Sequence, residues 1–179
     1  MKNNKWKIQG AFTLVELLVV LAILSILATV TLAAFNSSQA RGRDTQRKSD
    51  LKQIANSLEL YYSDYGTYPA SDGAGKIEGC PSTSATVCIW GTGSFTDLKT
   101  IYFKILPKDP VAAQNYFYRT ITVGSVNQGF QLFAHLENSQ DPQCLAKNCV
   151  NPAVPAGVTC GNNIACNLSI TSANVKATD

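Results

Sequence analysis

Phe12–Phe35 reads FTLVELLVVLAILSILATVTLAAF and carries a single charge, Glu16. Some twenty apolar residues in helical form reach about 30 Å, the thickness of a bilayer core. The residues ahead of it, MKNNKWKIQGA at 1–11, are short, polar and basic. Basic residues before the run and no charge after Glu16 place the N-terminus on the cytoplasmic side. An ordinary secretory signal has a shorter apolar core, followed on its far side by a small-residue cleavage site. This run is too long for that reading, and no such site follows it.

Beyond Phe35 the chain turns polar without breaking. No proline or glycine lies between Gly42 and Gly66, while Leu51, Ile54, Leu58, Tyr61 and Tyr65 recur at three- and four-residue steps. That spacing makes one apolar stripe on a helix. The charged residues Arg41, Arg43, Asp44, Arg47, Lys48, Asp50 and Lys52 are expected on its wet surface, as a solvated face that lipid phosphates or a neighbour's acids could also touch. The predicted object is one helix from about Phe12 to Tyr65, roughly 80 Å long at 1.5 Å per residue. Its first half is apolar all round and its second half is amphipathic. Gly66-Thr67-Tyr68-Pro69 ends it, because glycine caps a helix and proline cannot continue one.

Residues 70–100 are rich in Gly, Ser and Thr and read as loops, with a short structured piece around Val87–Trp90. Leu106–Pro110 (LPKDP) is a turn. Tyr116–Val123 is aromatic and β-branched, Gly124–Gly129 is turn-like, and Phe130–Leu136 follows, which predicts an antiparallel hairpin over 116–136. From Asp141 to the end, cysteine, proline and asparagine predict an irregular flap that adds at most a short strand. The expected class is α+β: a leader at 1–11, an apolar helix at 12–35, its amphipathic continuation at 36–69 and a head at 70–179.

The chain has 179 residues and a formal charge of +3, and Lys2, Lys5 and Lys7 account for all of that excess. Without them acids and bases balance, which gives little support to nucleic acid as a partner. The six cysteines, Cys80, Cys88, Cys144, Cys149, Cys160 and Cys166, all follow the apolar block. Beside an export-like N-terminus they read as intramolecular disulfides in an oxidising compartment. Cys80–Cys88 is the pairing that looks locally natural. Four thiolates on zinc are the rival reading, but the gaps are not the short C-x2-C pairs of common zinc modules.

Gly10-Ala11-Phe12-Thr13-Leu14-Val15-Glu16, with the apolar run behind it, resembles the type III signal of type IV prepilins and type II secretion pseudopilins. The resemblance is strong over 1–35 and weaker over 36–69, where SDYGTYP closes the helix. It is fainter in LPKDP, YFYR and FQLFAHLE, and the tail matches nothing. It implies a leader removed by a prepilin peptidase between Ala11 and Phe12, N-methylation of Phe12, and Glu16 as the fifth mature residue. It also implies a membrane-held precursor, an inner-membrane assembly platform, and identical subunits polymerised through the apolar helix into an extracellular type IV pilus for adhesion, motility or DNA uptake, with the major pseudopilin of a type II secretion system as the alternative. Two residues depart from the pattern. Ala11 stands where the family usually has glycine, which here comes one residue early as Gly10. Ala33 lies near the place where many members carry a proline.

The chemistry of Glu16 agrees with the resemblance. A carboxylate inside an apolar run is costly, about 2.5–3.5 kcal/mol at a helix centre and less near its end. Cleavage before Phe12 creates an α-amine that is positive near neutral pH. In a bundle of staggered helices one subunit's Glu16 pairs with another's amine, and in an apolar surround that pairing fixes axial register. No catalytic residue, metal or cofactor is expected. His135, the sole histidine, has no nucleophile or ligand constellation in the sequence and reads as structural or solvent-facing. Asn138 and Asp141 are the nearest candidates for the calcium loop that the resemblance associates with major pseudopilins, though no acid-rich loop surrounds them. Tyr61, Tyr62, Tyr65 and Tyr68 read as head core rather than as a stacking platform. A membrane-anchored binding module is the alternative of another class.

Overall fold

A computed structural model of the chain describes residues 12–80, 86–147 and 149–178; the side chains of 30–34 and 146 lie outside that description. The leader, with Gly10 and Ala11, is outside it too. The chain divides into two compact units, Met1–Gln39 and Ala40–Asp179.

One helix, α1, runs Leu14–Tyr65. It ends as its sequence dictates: Gly66 adopts a φ of +67° and donates its N–H to the Tyr62 carbonyl at 2.7 Å. A residue with a Cβ would pay a steric penalty at that left-handed position. Within the second unit Leu51, Ile54 and Leu58 are fully buried and Tyr61 nearly so. Tyr65 departs from the expected stripe and is half exposed. It nevertheless packs in a tilted pair with Tyr61, with ring centroids 4.6 Å apart, and its hydroxyl donates to Asp97 at 2.6 Å.

Among the described residues the head carries two antiparallel sheets. A two-stranded one pairs β1 (Phe95–Thr96) with β2 (Ile101–Phe103), inside and just beyond a region expected to be loop. The larger sheet has the order β3-β4-β5, with β3 at Phe117–Val123, β4 at Val126–Ala134 and β5 at Leu168–Thr171. The hairpin falls where the sequence placed it, but its turn is tighter than expected. Val123 faces Val126, so only Gly124 and Ser125 connect the strands. Glycine at the first central position, with φ +65°, suits the tight turns that match strand twist. The tail supplies β5, which pairs with β4 from Gln131↔Thr171 to Ala134↔Leu168.

β4 is buried on both faces from Gly129 to Ala134. Strand alternation sends Leu132, Ala134 and, just past the strand, Leu136 to the main core with Leu51, Ile54, Leu58 and Tyr118. It sends Phe133 the other way, into a second cluster with Phe117, Val158, Cys160 and Cys166. The cysteine-rich tail is therefore the lid of a small second core as well as an edge of the sheet.

Candidate functional site

Phe12 and Thr13 lead into α1, and Thr13 caps it. The Glu16 N–H donates to Thr13 Oγ1 at 3.2 Å, while Glu16 Oε2 accepts from the Thr13 N–H at 2.9 Å and from the Thr13 hydroxyl at 2.8 Å. This reciprocal arrangement is a capping box, satisfying two helix-end donors at once. Thr-x-x-Glu was visible in the sequence as its signature, overshadowed by the apolar run around it. Glu16 Oε1 has no partner among the described residues.

Every described side chain from Phe12 to Thr29 is exposed, with Phe12 at 86% and Leu14 at 78%. The hydroxyls in this stretch bond to their own helix: Ser25 to the Leu21 carbonyl at 2.7 Å and Thr29 to the Ile26 carbonyl at 2.8 Å. Neither needs an outside partner, so the stretch tolerates an apolar surround. Leu14–Thr29 measures about 24 Å as a helix, whereas a bilayer span takes about 20 residues and about 30 Å. Among the described residues no helix is long and apolar enough to cross a membrane. The span expected at Phe12–Phe35 includes Val30–Ala34, whose side chains lie outside the described ones.

The charged face at the start of the second unit differs from its sequence reading. Arg47 is completely buried and Asp44 nearly so, rather than solvated. Arg47 Nε and Nη2 hold both oxygens of Asp109 at 2.7 and 2.8 Å, and Nη1 reaches Asp44 and Glu137 at 2.8 Å each. Arg43 clamps Glu137 with two bonds, at 2.7 and 2.5 Å. Asp44 also accepts the backbone N–H groups of Glu137 and Asn138, both at 2.9 Å. Lys48 donates to Asp141 at 2.6 Å.

Buried charges are tolerated only when paired and hydrogen-bonded throughout. Here the bidentate fork of arginine meets that condition. The cluster fastens α1 to the LPKDP turn and to the segment after β4. The Arg43 hydrogen bonds, followed by those of Arg47, pull the Glu137 carboxyl down to about 2 against the effect of its partial burial. The Arg47 guanidinium loses solvation on burial, yet its carboxylate partners hold its pKa above the ordinary value. Nearby Asp50 is pushed up by burial, offset in part by the Tyr116 hydroxyl that donates to it at 2.7 Å.

All six cysteines are paired, as Cys80–Cys88, Cys144–Cys149 and Cys160–Cys166, with Cα–Cα distances of 5.3, 5.1 and 5.1 Å. Each closes a loop of eight residues or fewer. Asn167 does work that the sequence did not announce. Buried, it accepts the Leu136 N–H at 2.5 Å and donates to the Leu136 and Cys149 carbonyls at 2.9 and 3.1 Å. It thereby extends the β4–β5 pairing by one side chain. His135 is half-buried, with Nδ1 2.7 Å from the Ala165 carbonyl.

Asp141, the calcium candidate, is already held by Lys48 and by the Gln143 N–H at 2.9 Å, and Asn138 by the Gln140 N–H at 3.2 Å. Tyr61 and Tyr68 are core, as expected, while Tyr62 stacks on Tyr68 from the rim with centroids 4.5 Å apart.

A family profile described as the prokaryotic N-terminal methylation motif matches residues 6–32. The chain is 33% identical over 103 residues to the type II secretion system core protein G of Pseudomonas aeruginosa, covering 57% of this chain and 68% of that one. It is 35% identical over 71 residues to the fimbrial protein EcpC of Eikenella corrodens, covering 40% of this chain and 46% of that one. It is 36% identical over 70 residues to the type IV major pilin protein PilA of Myxococcus xanthus, covering 39% of this chain and 31% of that one. No solved structure matches the chain.

Proposed function

Because this chain belongs to the family of type IV pilins and type II secretion pseudopilins, and so is a subunit of a pilus or pseudopilus, we propose that it builds an extracellular type IV pilus. The leader is cut between Ala11 and Phe12, Phe12 becomes the methylated N-terminus, and the precursor waits in the cytoplasmic membrane with its N-terminus inside. The observation that carries the pilus reading is the head, in which every cysteine is spent on a disulfide. Such a head suits long exposure outside the cell. In assembly Glu16 takes the α-amine of a neighbouring Phe12. The capping box favours this, since Thr13 holds one carboxylate oxygen and leaves Oε1 to a partner.

A second reading, the major subunit of a type II secretion pseudopilus, is favoured by the longer coverage of the Pseudomonas relative. Negative-stain microscopy of material sheared from the cell surface separates the two. Long filaments whose subunit has Phe12 as its first residue by mass spectrometry support the pilus. Processed subunit that stays with the envelope, without surface filaments at native expression, supports the pseudopilus. A chain that keeps Met1 removes both and leaves an anchored binding module.

A further inference from the structure

Two open hollows of about 160 and 230 Å³ adjoin on the head and share Trp90 and Asn115. Trp90 is partly buried against the main core. Its indole N–H donates to the Gly75 carbonyl at 3.3 Å, and its ring meets Tyr116 edge-on with centroids 5.9 Å apart. The ring is thus fixed in place. Lys76 lines one hollow and Lys108 the other, and neither joins an ion pair among the described residues. Asp109 also lines the second hollow, but its carboxylate is saturated by Arg47 and by the Val111 N–H. Gln114 also lines that hollow, and its buried side-chain oxygen has no hydrogen-bond partner among the described residues.

Each feature asks for something different. An unpartnered buried acceptor is unfavourable until a donor reaches it. An aromatic face attracts weakly positive C–H groups. Two unpaired ammonium groups beside a neutralised carboxylate attract an anion. We propose that Trp90, Gln114, Asn115, Lys76 and Lys108 form a binding site for a uronic-acid sugar. The sugar ring lies against the indole, its carboxylate meets a lysine ammonium, and a hydroxyl donates to Gln114 Oε1 while Asn115 takes a second hydroxyl. Single-stranded nucleic acid shares the aromatic and cationic chemistry. It stacks successive bases on several rings, whereas the second ring here, Tyr116, is buried with its hydroxyl committed to Asp50.

Trp6 and Trp90 are the two tryptophans of the chain. In full-length detergent-solubilised protein carrying Trp6→Phe, emission therefore reports on this site alone, whether or not the leader is removed. Titration with trigalacturonate should give a saturable change in that emission, weakening as salt rises. A neutral cellotriose should bind at least about tenfold more weakly, and Lys108→Met and Gln114→Leu should each weaken trigalacturonate by about tenfold. Both variants keep the side-chain stem and the Trp90–Tyr116 contact, and an unchanged near-ultraviolet circular dichroism spectrum confirms that the head is folded. No emission change, equal response to cellotriose, affinity indifferent to both variants, or a response to oligothymidylate alone would each overturn the proposal.

Discussion

Arg47 is the side chain on which the head most depends. Arg47→Met keeps its apolar stem but strands Asp109 and Asp44 in the interior, and breaking a buried pair from one side costs about 3–5 kcal/mol. Denaturant unfolding should show that loss, while Lys52→Met, on the exposed side of the helix, should stay within about 0.5 kcal/mol of the parent. The same cluster sets an acid limit. Glu137 has its folded pKa depressed to about 2. Its contribution is therefore complete above the ordinary carboxylate pKa and fades as pH falls from about 4.5 towards 2. Thermal melting across that window should fall steeply in the parent and less so in Glu137→Gln, which starts lower. Asp50 acts with the opposite sign, since its raised pKa favours protonation in the folded head. Glu16→Ala should leave membrane insertion intact and remove the filament. Moving the acid one turn, as Glu16→Ala with Val20→Glu, should not restore it, because the partner amine stays put. The readout is surface filament per inserted subunit, and normal filaments from Glu16→Ala would make the acid a bystander. The buried role of Arg47 was open to inspection in the sequence. It lies four residues before Leu51 and three after Asp44, on the very stripe that Leu51, Ile54 and Leu58 continue. Charge hid it, because pairing with Asp109 and Glu137, distant in the chain, cannot be read from local periodicity.

Among the elements, α1 was the most legible, since an unbroken run and a glycine–proline stop leave little choice. The β3–β4 hairpin was legible in its strands and less so in its turn. Asn127, Gln128 and Gly129 carry weak β propensity, yet they extend β4 because Val126 must face Val123. The β1–β2 pair was not legible: two and three residues are too few for alternation to register, and Asp97 and Thr96 side chains hold its tip. The tail was read as a flap, but its place over Phe117 and Phe133 depends on long-range packing. Replacing both Cys160 and Cys166 by serine should cost about 2–5 kcal/mol and unroof the second cluster. Hydrogen exchange should then rise at Val158 and around Phe133 while Leu51–Leu58 keep their protection. Uniform loss of protection would mean that the two clusters fold as one.

For the whole molecule, the proposed cut before Phe12 would remove Lys2, Lys5 and Lys7 and so discharge the excess of positive charge. Isoelectric focusing of precursor and mature forms should show the processed chain at the more acidic position, and an unshifted band would mean that the leader stays. The three disulfides have a different consequence for the assembled state. All are local, and none joins α1 to the sheet. If the proposed filament is held through its apolar helices, stretching it loads each head through α1. The bonds that hold α1 against the rest of the head include the ion pairs of Arg43, Arg47 and Lys48 and the apolar stripe, and no disulfide reinforces them. The rupture force should therefore drop in acid, while reducing agent leaves that first yielding step almost unchanged.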